Sequence, residues 1–193
     1  MSLLRIRSEY PTGRRDCGFS LIEGMIVVMI LAVIGGIGAI SMQGIRGRMR
    51  ADAVGTQVLG LMREVRERAV AERRNYRIQF SGNDQVQITR MNVPSGSTVM
   101  KTEQLLHGAQ FTVFSEIPDT PDAFGNGSAV SFGGSSILNF LSDGTLVDST
   151  GAPLNGTLFV GTPNNPSSAQ AVTVLGSTGR VQLYRWSRNR WIR

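Results

Sequence analysis

Gly18-Phe19-Ser20-Leu21-Ile22-Glu23-Gly24 leads directly into an apolar run from Met25 to Met42, and no charged residue falls between Glu23 and Arg46. A helix crosses a bilayer with about 20 predominantly apolar residues, so residues 19–43 are expected to form a membrane-spanning helix. One carboxylate, Glu23, stands at the start of that run. At the edge of hydrocarbon such a group is costly unless it is paired or sits among headgroups and water. Within the run, Ala32, Gly35, Gly36 and Ala39 place small residues three and four apart, a spacing that lets helices approach closely.

Residues 1–18 form a basic, hydrophilic leader with Arg5, Arg7, Arg14 and Arg15 against Glu9 and Asp16. A general secretory signal is cut after its apolar region, at small residues. Here Met42-Gln43-Gly44-Ile45-Arg46 offers no clear site of that kind. Arg46, Arg48 and Arg50 follow the run, so arginines flank both ends and charge asymmetry does not orient the span. These three are expected either to meet lipid phosphates or to be simply solvated.

Among 193 residues the net charge is +6, and Lys101 is the only lysine. A basic chain favours anionic partners such as nucleic acid or acidic lipid, although a solvated basic surface explains the same balance. Cys17 is the single cysteine and lies in the leader, which excludes a disulfide framework and a cysteine-based metal site. His107, the single histidine, sits in Leu106-His107-Gly108 and reads as a solvated loop residue. No HExxH, GxSxG or phosphate-binding loop occurs. Neither metal nor cofactor is expected, and no enzymatic activity.

Beyond the run, Val54, Val58, Leu61, Val65 and Ala69 recur at helical spacing, which predicts an amphipathic helix over residues 44–75. Residues 76–193 change period. Tyr76–Phe80 and Gln85–Thr89 alternate about the turn Ser81-Gly82-Asn83-Asp84, a hairpin signal. Further strands are expected at Thr98–Leu105, Gln110–Phe114, Ile137–Leu141, Thr157–Gly161, Ala171–Leu175 and Arg180–Trp186, with Pro118–Ser136 as a long irregular loop. The expected fold is α+β: one long N-terminal helix, its first half membrane-spanning, packed on an antiparallel sheet.

The stretch Gly18-Phe19-Ser20-Leu21-Ile22-Glu23 resembles the type IV prepilin motif. The resemblance implies cleavage between Gly18 and Phe19 by a prepilin peptidase, and N-methylation of Phe19. It implies a cytoplasmic N-terminus, an inner-membrane anchor and an extracytoplasmic C-terminal domain. It also gives Glu23 a role in assembly, its carboxylate pairing with the new amine of Phe19 on the same or a neighbouring subunit. The proline that many pilins carry near the position of Ile40 is absent. Phe140-Leu141-Ser142-Asp143-Gly144-Thr145, Gly156-Thr157-Leu158-Phe159-Val160 and Gly176-Ser177-Thr178-Gly179-Arg180-Val181 are similar to the family of general secretion pathway protein H and the minor pilin FimT. That narrower resemblance implies a minor pilin or minor pseudopilin of a type IV pilus or type II secretion filament, with other pilin subunits as partners.

The C-terminal tail is basic. No acidic residue follows Asp148, and Arg180, Arg185, Arg188, Arg190 and Arg193 alternate with Tyr184, Trp186 and Trp191. Arginine forks suit phosphates and aromatic rings stack on exposed bases. By the same resemblance, FimT-type minor pilins are implicated in DNA capture for natural transformation, with a Gly-Arg-x-Arg element near the C-terminus. Here it reads Gly179-Arg180-Val181-Gln182, without the second arginine, for which Arg185, Arg188 or Arg190 are candidate substitutes. A filament-borne DNA receptor is therefore the alternative function. The plain alternative is a turn at Gly179, a surface Arg180 and tryptophans that pack on the sheet.

Overall fold

The computed structural model describes residues 20–193, with side-chain environments at all of these except residues 37–46. The leader, Gly18 and Phe19 lie outside the described residues. The chain divides into two compact units, residues 1–42 and 43–193, and one helix, α1 (Leu21–Glu72), contributes to both.

In the first unit α1 is apolar on all sides. Leu21, Ile22, Met25, Ile26, Val27, Val28, Met29, Ile30, Leu31, Val33 and Ile34 are all exposed. Among the described residues no helix is long and apolar enough to cross a membrane. The span expected at residues 19–43 is thus not recovered there. Its described side chains end at Gly36, after about 24 Å of helix, against about 30 Å of hydrocarbon.

In the second unit α1 becomes one-sided. Val54, Val58, Leu61, Val65 and Ala69 are buried as their spacing predicts, and Met62 joins them. The helix stops at Glu72 because Arg73 turns to φ 51° while Arg74 N–H bonds back to the Ala69 carbonyl at 3.1 Å. A left-handed residue just past the last turn is a common helix end.

A single sheet was the expectation; the structure has two. The first contains β1 (Tyr76–Ser81), β2 (Gln85–Met91), β3 (Ser97–Gln104), β6 (Ile137–Phe140) and β7 (Leu146–Val147), in the order β3-β2-β1-β6-β7. The second contains β4 (Gln110–Phe111), β8 (Gly156–Gly161), β9 (Gln170–Leu175), β10 (Arg180–Ser187) and β11 (Arg190–Ile192), in the order β11-β10-β9-β8-β4. Residues Val130–Ser131 form β5, which also pairs with β8, so the expected irregular loop contains a strand. All pairings are antiparallel.

Both sheets contribute to one core under α1. Ile78, Phe80, Val86, Ile88, Leu138 and Phe140 come from the first sheet, and Leu158, Val160, Val172, Val174 and Val181 from the second. Polar side chains fix the helix to each. Gln57 donates to the Gln104 carbonyl and accepts from Leu106 N–H, both at 3.0 Å. Asp52 accepts from buried Gln170 at 2.9 Å and pairs with Arg185 at 2.8 Å. Where the sheets meet, Leu146 N–H donates to the Gly176 carbonyl at 2.9 Å.

Candidate functional site

Strand alternation decides which way each tail residue points. On β8, β9 and β10 the residues that bury under α1 alternate with Phe159, Ala171 and Tyr184, which form a second, smaller cluster on the opposite face with Val113 and Trp191. The β4–β5 connection covers that face. Trp191 Nε1 donates to the Pro118 carbonyl at 2.8 Å, and its ring meets Trp186 at 5.3 Å and Phe159 at 6.2 Å between centroids. Asp122 accepts from Thr173 Oγ1 at 2.6 Å and from the Tyr184 hydroxyl at 3.2 Å. Burial, and then the Asp122 charge, push the Tyr184 hydroxyl above its ordinary pKa. Arg193 donates to Gln182 and lies over the Tyr184 ring, so this arginine serves the covered face.

The tail expected after Trp186 is a hairpin. β10 and β11 pair Arg185 with Ile192, Trp186 with Trp191 and Ser187 with Arg190. The two residues between them, Arg188 and Asn189, have φ 48° and 61°. Two successive left-handed residues make the tight turn whose twist suits antiparallel strands, and Asn, Asp and Gly fit it best. Arg188 at the first position hides the signal, which is why the sequence alone did not reveal β11.

The hairpin borders an open cavity of about 440 Å³, walled by Arg48, Ser167, Trp186, Ser187, Arg188 and Arg190. Arg48 comes from α1 within the second unit and Ser167 from the short 3₁₀ turn Pro166–Ser168 between β8 and β9. Three arginines therefore line one concavity, with two serines and a tryptophan beside them. Nothing in the sequence pattern linked Arg48 to the tail; only the fold brings them together.

The remaining candidates fall elsewhere. Gly179 occupies the β9–β10 turn at φ 62°, beside Arg66, whose guanidinium donates to the Thr178 carbonyl at 3.1 Å. Arg180 is exposed at the first position of β10, roughly 23 Å of strand from Ser187. Arg185 is held by Asp52. The structure thus brings Arg188 and Arg190 together with Arg48, and leaves Gly179 and Arg180 at the other end of the strand.

At the N-terminal end, Glu23 is exposed in the first turn of α1. The Ser20 carbonyl accepts from Glu23 N–H at 3.0 Å and from Gly24 N–H at 3.1 Å. Ser20 therefore stands at the cap position with an acid three residues on, the spacing of a capping box, where the helix dipole favours negative charge. His107 is an exposed left-handed residue of a 3₁₀ turn. Among the described residues no group of His, Cys, Asp and Glu is placed to hold a metal ion.

Residues 13–39 match the family model described as the prokaryotic N-terminal methylation motif. Comparison with curated proteins returns no match. The fold is similar to that of the type IV minor pilin FimU of Pseudomonas aeruginosa strain PAO1, at 14% identity and TM-score 0.51, over 76% of this chain and 95% of that one. The minor pseudopilin EpsH from the type 2 secretion system of Vibrio cholerae matches at 14% identity and TM-score 0.46, over 69% and 95% of the two chains. The chain thus carries the methylation motif at its N-terminus, and its helix-and-antiparallel-sheet fold is similar to that of a type IV minor pilin.

Proposed function

We propose that this chain is a minor pilin or minor pseudopilin, made as a precursor, cut between Gly18 and Phe19 by a prepilin peptidase and N-methylated on Phe19. In this reading residues 19–43 first anchor the precursor in the inner membrane, with the leader cytoplasmic and residues 44–193 outside. They then become the core helix of a type IV pilus or type II secretion filament.

The carrying observation is the methylation motif at residues 13–39, which runs directly into α1. The exposed apolar side chains between Leu21 and Ile34 support it, because so large an apolar surface requires lipid or neighbouring helices around it. Glu23 is the charge that makes the second environment specific: buried among subunits, it needs the Phe19 amine as its partner. Co-expression with a prepilin peptidase should shorten the chain by the leader, and Gly18→Ala should block this. Glu23→Ala should be processed but excluded from sheared filaments. Normal processing of Gly18→Ala together with normal incorporation of Glu23→Ala would sink the proposal.

A filament-borne DNA receptor is the second reading, favoured by exposed Arg180, Arg188 and Arg190. Binding of duplex DNA by the full chain should then weaken steeply with salt and with Arg180→Ala. Absence of binding at low salt would retire it.

A further inference from the structure

We infer that the cavity between Arg48 and the β10–β11 hairpin is a binding site for the phosphate headgroup of an anionic phospholipid. The inference rests on the membrane-anchored reading above and adds a ligand to it.

The charge of the cavity is the first argument. Arg48, Arg188 and Arg190 line one concavity of about 440 Å³ together with Ser167 and Ser187. Asp52 is the only acid between Glu23 and Glu64, and it is already paired with Arg185 and Gln170. Among the described residues no ion pair engages Arg48, Arg188 or Arg190, which leaves them open to an external anion. Phosphate oxygens match their planar donor forks.

The hairpin turn is the second. Arg188 is held at φ 48°, a conformation that asparagine and glycine adopt far more readily than arginine. The tight turn, which needs two left-handed residues, sets Arg188 on the cavity wall close to Arg190.

Chain length is the third. Arg48 lies six positions beyond Met42, where the apolar run ends. Even a fully extended chain covers about 3.5 Å per residue, so Arg48 stays within about 21 Å of that end in any arrangement of the two units. A cavity so tethered is kept within reach of the membrane surface whenever the run is in the bilayer. Trp186, half-buried on its wall, is the residue type enriched at that level.

A duplex is the poorer match. Phosphate contacts to nucleic acid are spread along a track, whereas here Arg180 is at the far end of β10, Arg185 is paired with Asp52 and Arg193 is turned to the opposite face. A single headgroup needs only the local cluster.

The test titrates the full chain, in nonionic detergent, with dihexanoyl phosphatidylglycerol, dihexanoyl phosphatidylcholine, inorganic phosphate and a short duplex DNA, reading tryptophan fluorescence. Phosphatidylglycerol should give a saturable change that phosphatidylcholine does not. In Arg48→Gln/Arg190→Gln its midpoint should rise about a hundredfold, since each of the two charge-assisted hydrogen bonds is worth about a factor of ten. Arg48→Lys/Arg190→Lys, which keeps the charge, should retain part of the response and controls for loss of fold. An equal response to both lipids, or an unchanged midpoint in the glutamine variant, would overturn the inference. Inorganic phosphate acting at the same concentration would reassign the cavity to free phosphate. Tighter binding of DNA, lost in the same variant, would reassign it to nucleic acid. Cleavage after Gly18 does not enter this measurement, so peptidase processing with no lipid response removes the headgroup site and leaves the pilin reading intact.

Discussion

A Cβ on Gly179 would lie 2.0 Å from the carbonyl oxygen of Gly144 and 2.6 Å from Arg66 Nε. The two glycines belong to different sheets, Gly144 to the β6–β7 turn and Gly179 to the β9–β10 turn, and both have positive φ. They close against each other around the Arg66 side chain of α1. The glycines at 144 and 179 are therefore a packing requirement, whatever else Arg180 does.

Gly179→Ala should cost about 2–4 kcal/mol, combining backbone strain at positive φ with a forced shift of the Gly144 turn. Thermal unfolding of the full chain in detergent measures it. A loss below about 0.5 kcal/mol would show that the two turns separate freely.

Gly55 and Gly60 make a matched pair within one helix. Alanine in a helix interior is normally favoured over glycine by about 0.5–1 kcal/mol. Gly60 has no atom within 4 Å of a built Cβ, so Gly60→Ala should stabilise by that amount. At Gly55 the Cβ would meet Gln170 Cδ at 2.7 Å and Leu183 Cδ1 at 3.0 Å. Gln170 is buried and bound to Asp52, so Gly55→Ala should instead destabilise, by about 1–3 kcal/mol. Equal effects at the two positions would contradict this packing.

Acid should loosen the turns on either side of β7. Asp143 accepts from the Thr145 hydroxyl at 2.6 Å and its N–H at 2.9 Å; Asp148 accepts from the Thr150 hydroxyl at 2.7 Å and its N–H at 2.8 Å. These hydroxyls first, and then the backbone donors, hold both carboxyls below the ordinary aspartate value of 3.8. A depressed carboxyl stabilises the fold above its unfolded pKa, and that stability is lost as pH falls through the folded pKa. The melting temperature should therefore drop below about pH 3.8, and drop less in Asp143→Ala/Asp148→Ala, which starts lower. Parallel melting curves against pH in the two proteins would rule out a contribution from these residues.

Trp191 ties the C-terminal strand to the β4–β5 connection. Trp191→Ala removes two ring contacts and the bond to the Pro118 carbonyl, at a cost of about 2–3 kcal/mol for a half-buried tryptophan. Trp191→Phe keeps a ring and should cost less. Hydrogen exchange should quicken around residues 113–125 in the alanine variant; unchanged protection there would mean that Asp122 alone holds the connection.

Local pattern was sufficient for much of this fold. The helical spacing of Val54, Val58, Leu61, Val65 and Ala69 named the buried face, and the alternation around Gly82 named the first hairpin. Three short strands escaped. β5 and β7 are two residues long and carry no readable period, and β11 follows a turn that begins with arginine. The division into two sheets was also illegible, because pairing partners such as β1 and β6 are far apart in the chain.

The sequence by itself determined the N-terminal motif, its apolar run, the helix face and most strands. Each is a property of neighbouring residues: a glycine ahead of Phe19, a lone Glu23, a period of 3.6 or of 2. Tertiary structure alone decided which arginines act together. The tail reads as one basic cluster in sequence, yet strand alternation and the α1 contacts divide it. Arg193 goes to the covered face, Arg185 to Asp52, Arg180 to the far end of β10, and Arg188 and Arg190 to a cavity shared with Arg48. Charge adds along a sequence, but a binding site needs charges that converge in space, and only the folding of α1 against the β10–β11 hairpin supplies that convergence.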